Sequence, residues 1–333
     1  MHKKSLNKFI IDKYISSTKK IRKKLKQKLP FTVVRSIRII KKIITNTHKN
    51  VLYFCNKTYY YFKFKPIFKK NIVLLNRHKG ERCFILGTGP SINKQDLSPL
   101  TNETCIGLNS FHLHKDYSLL KPSYHLLTSA VGHNLSEKKL NIWFDQVEKN
   151  IPHKTTIFCI HQDYSYIKKH SLLSKYNTHY FGPTKKTSKM LTDKIDATKE
   201  ISQAFDILVT ALDLAIYMGF KSIYVIGADH HYFFPKFVES KNPPPSYFFD
   251  INNTAHDVYE PKRKFTKKHA EFITTLWQQY YAIKRYAHQQ QINIYNATPN
   301  SHLDVFPFVN FEDLFVKEQH YATVKKQNNE YTC

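Results

Sequence analysis

A chain of 333 residues with 41% hydrophobic side chains is long enough for one large or two modest packed domains. Its formal net charge of +27 points to nucleic acid only until it is divided along the chain. Residues 1–70 hold 21 Lys and Arg against the single acid Asp12, so 20 of the 27 charges lie there, and the remainder, with 31 basic and 24 acidic side chains, is only mildly basic.

The first element in chain order is this basic front segment, residues 1–75. From Val33 to Ile44, Val33, Ile37, Ile40 and Ile44 fall on one helical face, and Arg35, Arg38, Lys41 and Lys42 gather on the other. A basic amphipathic helix of this kind suits the headgroup plane of an anionic membrane, with residues 1–50 as the contact. An RNA-binding arm and a solvated basic tail are the competing readings. No apolar stretch approaches the roughly 20 residues that span a bilayer, and the N-terminus has no apolar signal core. The expected location is therefore cytoplasmic, peripheral to the inner face of the cell membrane. Five cysteines without C-x-x-C spacing (Cys55, Cys83, Cys105, Cys159, Cys333) read as reduced thiols, three of them in apolar runs.

From residue 80 short apolar runs alternate with longer segments of helical period, the pattern of an α/β fold whose mostly parallel sheet is covered on both faces. The expected strands are Cys83 to Leu86, Thr104 to Leu108, Tyr124 to Thr128, Thr155 to Ile160, Ser222 to Ile226 and Ile292 to Tyr295. The first breaks into Gly87-Thr88-Gly89-Pro90-Ser91. Glycines there let peptide N–H groups approach an anion, and Ser91 is placed to cap a following helix. This loop matches neither the dinucleotide fingerprint nor the P-loop.

The other strand ends carry Asn109, Ser129, His161, Asp229 and Asn296, and in an open parallel sheet such residues converge where ligands bind. Residues 162–199 are polar and poorly periodic, either an insertion that binds acceptor or a surface excursion. A helix over Ile207 to Met218, stopped by Gly219, feeds the strand that ends in Gly227-Ala228-Asp229-His230-His231-Tyr232. No metal-ligand spacing accompanies these histidines, so no metal is assigned.

Residues 233–264, with Pro235, Pro243, Pro244, Pro245 and Pro261, cannot be regular and are expected to form a lid. The lid carries His256, a candidate general base beside Asp257, with His231 and His161 as alternatives. A helix from Phe265 to Gln290 leads to the last strand, and residues 319–333 form a polar tail.

Four blocks in this order carry a resemblance: Phe84 to Ser91, Gly107-Leu108-Asn109-Ser110-Phe111, Gly219 to Asp229, and Asn296-Ala297-Thr298-Pro299-Asn300-Ser301. Over about residues 80–310 the chain resembles the bacterial CMP-sialic-acid-dependent sialyltransferases and the wider 6-hydroxymethylpterin pyrophosphokinase-like domain family, many of whose members serve surface polysaccharides such as capsule or lipopolysaccharide. The resemblance implies a Rossmann-like transferase domain over residues 76–318. It also implies metal-independent, inverting transfer from a CMP-sugar co-substrate, with no other cofactor, to a glycan or lipid-linked glycan acceptor. On that analogy the loop of Gly87, Thr88, Gly89, Pro90 and Ser91 approaches the donor nucleotide and Asn109 bonds it; the strand-end residues Ser129, Asp229 and Asn296, with Tyr232, are the further donor-binding candidates. Thr88 stands where those sialyltransferases usually have Asn, and His230, His231 and Tyr232 stand where they have tyrosines. Sialic acid, another nonulosonic acid and Kdo remain open as the sugar.

The absence of any Asp-x-Asp in the sequence favours a donor with one phosphate. The alternatives are an ATP-dependent diphosphokinase-type transferase, for which Asp229 lacks a clear carboxylate partner, and an RNA-binding protein acting through residues 1–70.

Overall fold

A computed structural model describes residues 62–133, 135–184, 195–202, 206–231, 247–249 and 266–316. The chain divides into two compact units, Met1–Lys63 and Phe64–Cys333. Nearly all described residues belong to the second. The amphipathic helix expected over Val33 to Ile44 and the polar tail 319–333 lie outside them, as do Cys55 and Cys333.

The second unit is an α/β fold with a parallel sheet of Rossmann-like form. Its strands are β1 (Arg82–Leu86), β2 (Cys105–Leu108), β3 (Tyr124–Leu127), β4 (Thr156–Ile160), β5 (Thr178–Thr184), β6 (Glu200–Ser202), β7 (Ser222–Ile226) and β8 (Asn293–Asn296). They lie in the order β6-β5-β4-β3-β2-β1-β7-β8, and every pairing is parallel. Seven strands form the continuous sheet, and the three-residue β6 adds to its far edge through β5. All six strands expected from the sequence are present to within about a residue.

The alternation of side chains along β1 sorts the core into two layers. Cys83 and Ile85 pack with the helices α3 (Ile207–Tyr217) and α4 (Lys267–Gln289), whereas Phe84 and Leu86 pack with α1 (Glu137–Asn150). In α1 the buried residues Leu140, Trp143, Phe144 and Val147 keep the i, i+3, i+4, i+7 spacing of a one-sided helix, and Ser136 caps its start by accepting from Lys139 N. By contrast α3 is buried over all ten positions from Leu208 to Tyr217. It is covered on every side, so no polar face was needed. Gly219, at φ +88°, ends it in the left-handed conformation that closes a helix, and a side chain there would meet Asn76.

Two further strands, β5 and β6, were not expected from the sequence. Residues 162–184 are not a surface excursion: they supply α2 (Tyr164–Lys169) and β5, which pairs with β4 from Ile157↔Thr178 to Ile160↔Phe181. Apolar periodicity missed β5 because His179, Gly182 and Pro183 interrupt it. The polar groups are satisfied one by one instead. His179 Nδ1 bonds Asn71 Oδ1 at 2.9 Å, and Asn71 Nδ2 donates to Tyr180 O and Ala197 O. The three cysteines Cys83, Cys105 and Cys159 are buried free thiols, and burial raises each thiol pKa, which makes them packing residues.

Candidate functional site

The strand order reverses at β1: successive strands run outward through β2 to β6, and the chain then returns to place β7 on the other side of β1. In open parallel sheets the crevice outside the carboxyl ends at such a reversal is where ligands bind. A cavity of about 110 Å³ lies there, walled by Gly87, Thr88 and Gly89 after β1, Leu108 and Asn109 of β2, Asp206 to Leu208 at the start of α3, Val225 and Gly227 to His231 of β7, and Tyr247. That volume is below the roughly 300–1,000 Å³ of small-molecule sites and has room for about one ring or one phosphate.

The glycine loop is built differently from a phosphate cradle. Gly87 N donates to Ile226 O, Gly89 N to Gly227 O, and Ser91 N to Asp229 Oδ1. With Pro90 lacking an N–H, Thr88 holds the loop amide that no described group engages. A Cβ at Gly87 would lie 2.4 Å from Gly227 O, and one at Gly89 would lie 1.8 Å from Asp229 Oδ2. The glycines thus admit the β7 loop, where the sequence suggested they admit an anion. Ser91 does not cap a helix either. The segment Pro90–Lys94 is a short 3-10 helix with Gly89 at its N-cap, and Ser91 Oγ donates to Asp229 Oδ2 at 2.8 Å.

Asp229 is therefore a clamp between the two central loops, 4% exposed and fixed by both donors of Ser91. Its Oδ1 also stands 3.5 Å from His231 Nε2, and the His231 ring lies edge-on to His302 at 5.0 Å. The preceding His230 adopts φ 58° and bonds Tyr280 OH of α4 at 2.9 Å through Nε2. A left-handed non-glycine residue costs on the order of 1 kcal/mol, and the buried hydrogen bond holds it there. Burial lowers the pKa of His230, and of His302 as well.

Asn109, at φ 48°, is fixed by accepting from Thr128 N at Oδ1, while its backbone carbonyl accepts from His125 Nε2 at 2.7 Å. Burial pushes the His125 pKa down to about 3, so it is neutral and donates from Nε2. This leaves the Asn109 amide nitrogen as the donor for a ligand. Asp206 is the second carboxylate on the cavity wall and caps α3 by accepting from Leu208 N at 2.8 Å. The sequence reading passed over it, although an Asp directly before an apolar helical run is an N-cap signal.

Other expected site residues sit elsewhere. Ser129 Oγ donates to Asp163 Oδ1 at 2.7 Å, at the β3–β4 edge and outside the cavity wall. Asn296 is fully buried and acts two steps back: its Oδ1 accepts from Thr298 N, and Thr298 Oγ1 accepts from Ala228 N in the β7 loop. His161 is also removed from the cavity, under the rings of Phe64 and Phe68, with Nδ1 directed to Phe181 O and a pKa lowered to about 4 by burial. Tyr232 and His256 lie outside the described residues.

Of the expected lid, residues 247–249 are described. Phe248 N donates to Thr88 O at 3.1 Å, and the Phe248 ring meets Phe111 and His114, so this part rests on the carboxyl edge beside the cavity. Among the described residues no group of three His, Cys, Asp or Glu is arranged to hold a metal, and no helix is long and apolar enough to cross a membrane. Neither a scan against protein-family models nor a search of curated proteins gives a match to this chain.

Proposed function

We propose that this chain is a glycosyltransferase that moves an acidic sugar from a CMP-activated donor to a surface-glycan acceptor at the membrane. The observation that carries the reading is the grouping of Asp206, Asp229, Asn109 and His231 around one cavity at the β1/β7 reversal. Carboxylates and an amide are the groups that recognise ribose and sugar hydroxyls, and no Lys or Arg stands among the described wall residues. In the reaction, the acceptor hydroxyl oxygen bonds the anomeric carbon of the donor sugar. The bond from that carbon to the phosphate oxygen breaks, its electron pair leaves with CMP, and the acceptor proton passes to a histidine. His256 and His231 are the two candidates, and Asp229 beside His231 stabilises the imidazolium. Asn109 Nδ2 and Thr88 N–H supply donors for the nucleotide.

The second reading, a diphosphokinase-type transferase, gains from Asp206. A magnesium ion carried by a nucleotide needs only one or two protein carboxylates, and Asp206 joins Asp229 on the same wall. Thermal unfolding of the full chain with CMP, UDP, GDP or ATP, each in EDTA and in magnesium, separates the two. Selective stabilisation by CMP in EDTA supports the transferase of acidic sugars; stabilisation by ATP that requires magnesium overturns it.

A further inference from the structure

The second unit carries an apolar ridge that neither the fold nor the cavity uses. Between the helical residues 62–69 and β1, the segment Lys70–Leu74 forms a 3-10 turn. Its three-residue period divides the side chains cleanly. Asn71 and Leu74 point inward and are fully buried, whereas Ile72 is 54% exposed, Val73 61% and, just beyond the turn, Leu75 37%. Three aliphatic side chains in a run of four residues are thus presented to solvent. Lys69, Lys70, Arg77 and Lys79 flank them in sequence, all exposed, and the first acid beyond them, Glu81, pairs with His78.

The ridge is held in place from below. Asn71 bonds Tyr180 O, Ala197 O and His179, and Tyr217 OH donates to Asn71 O. Behind it, Asn76 N, His78 N and Gly80 N donate to Tyr217 O, Met218 O and Gly219 O. Seven hydrogen bonds and a buried leucine fix the turn that presents these side chains.

We infer that Ile72, Val73 and Leu75 insert into the interfacial region of an anionic phospholipid bilayer, with Lys69, Lys70, Arg77 and Lys79 at headgroup level. An exposed aliphatic tip flanked in sequence by cations has the charge and polarity order of such a surface. Nucleic acid would match the cations but has no use for aliphatic side chains, since exposed bases stack on aromatic or guanidinium planes. The inference is independent of the reaction at the cavity. It also concerns residues other than 1–50, the membrane contact expected from the sequence.

High salt weakens the cationic contribution and leaves the aliphatic one, because the screening length falls to a few ångströms near 0.5 M. The full chain and its I72S/V73S/L75S variant are sedimented with vesicles of phosphatidylcholine and phosphatidylglycerol in 0.1 M and 0.5 M NaCl. The wild-type chain is expected to retain binding at 0.5 M, and the variant to bind about tenfold or more weakly there with an unchanged melting temperature. Equal binding of the two chains at high salt, or no vesicle binding by the wild-type chain, overturns the inference. A variant that binds equally but shifts from dimer to monomer in solution assigns the ridge to self-association and also overturns it. As a second readout, Val73→Trp is expected to be quenched by lipids brominated in their acyl chains; the absence of quenching on bound vesicles counts against insertion.

Discussion

Two carboxyl-edge loops in this protein are tied by a buried aspartate, and they end differently. At the β3–β4 edge Asp163 accepts from Ser129 Oγ, Ala130 N and Val131 N, all protein donors that close the loop on itself. At the β1–β7 edge Asp229 accepts from Ser91 N and Ser91 Oγ and keeps one side toward His231 and the cavity. The same device makes a sealed corner in one place and a cavity wall in the other. What decides is position: only the second sits where the strand order reverses, so that two loops part and leave a crevice.

The largest expected effect breaks the open corner itself. Gly87→Ala brings a Cβ to 2.4 Å from the Gly227 carbonyl, backbone against backbone, and should cost more than about 4 kcal/mol or prevent folding, as read by urea unfolding. One substitution applied to both clamps then sharpens the contrast. In Asp163→Asn the new NH2 group must face Ala130 N–H or the pair formed by Ser129 and Val131, a donor against a donor, for a loss of about 2–3 kcal/mol. In Asp229→Asn the oxygen can keep Ser91 N while the Ser91 hydroxyl turns to accept, for about 1 kcal/mol or less. The effects on ligand run the other way: the Asp163 variant should bind CMP as the parent does, and the Asp229 variant should bind and turn over poorly.

Asp213 extends the comparison to an aspartate with no clamp. It lies inside α3, 1% exposed, with Oδ1 lacking a hydrogen-bond partner, and burial raises its pKa to about 8. The folded pKa is above that of the unfolded chain, near 4, so the unfolded state loses the proton first. The contribution of this group to stability is complete below about pH 4 and is lost as pH rises toward 8. Asp213→Asn should remove that loss, flattening stability against pH by up to about 1.4 kcal/mol per pH unit between pH 5 and 8. Identical slopes in the parent and the variant would show that Asp213 does not titrate in this window.

The sheet was legible because β1 to β4 are short, mostly apolar runs buried along nearly their whole length, and because β7 and the more exposed edge strand β8 each follow a long segment of helical period. β5 was not, since its polar positions are satisfied by Asn71, more than a hundred residues away in sequence. The site was legible in outline: Gly87, Thr88, Gly89, Asn109, Asp229 and His231 do meet at one cavity. The purpose of the glycines was not, because only the crossing of the β7 loop shows what fills the space a Cβ would take. Ser129 and Asn296 look alike in sequence to the residues that line the cavity. Hydrogen bonding to Asp163 and Thr298 is what distinguishes them.

The placement of β1 also sets the order of assembly. Its residues pair with β2 on one side and, through Arg82↔Ser222 to Leu86↔Ile226, with β7 on the other. A ribosome delivers β7 only after β2 to β6 have emerged. Until then the inner edge of β1, with Phe84 and Ile85 beside it, is an unpaired strand at what will become the middle of the sheet. Contacts of such sequence separation slow folding and leave a sticky edge during synthesis. The crevice that holds the cavity therefore closes only when β7 arrives, after the strands on the other side of β1 have emerged.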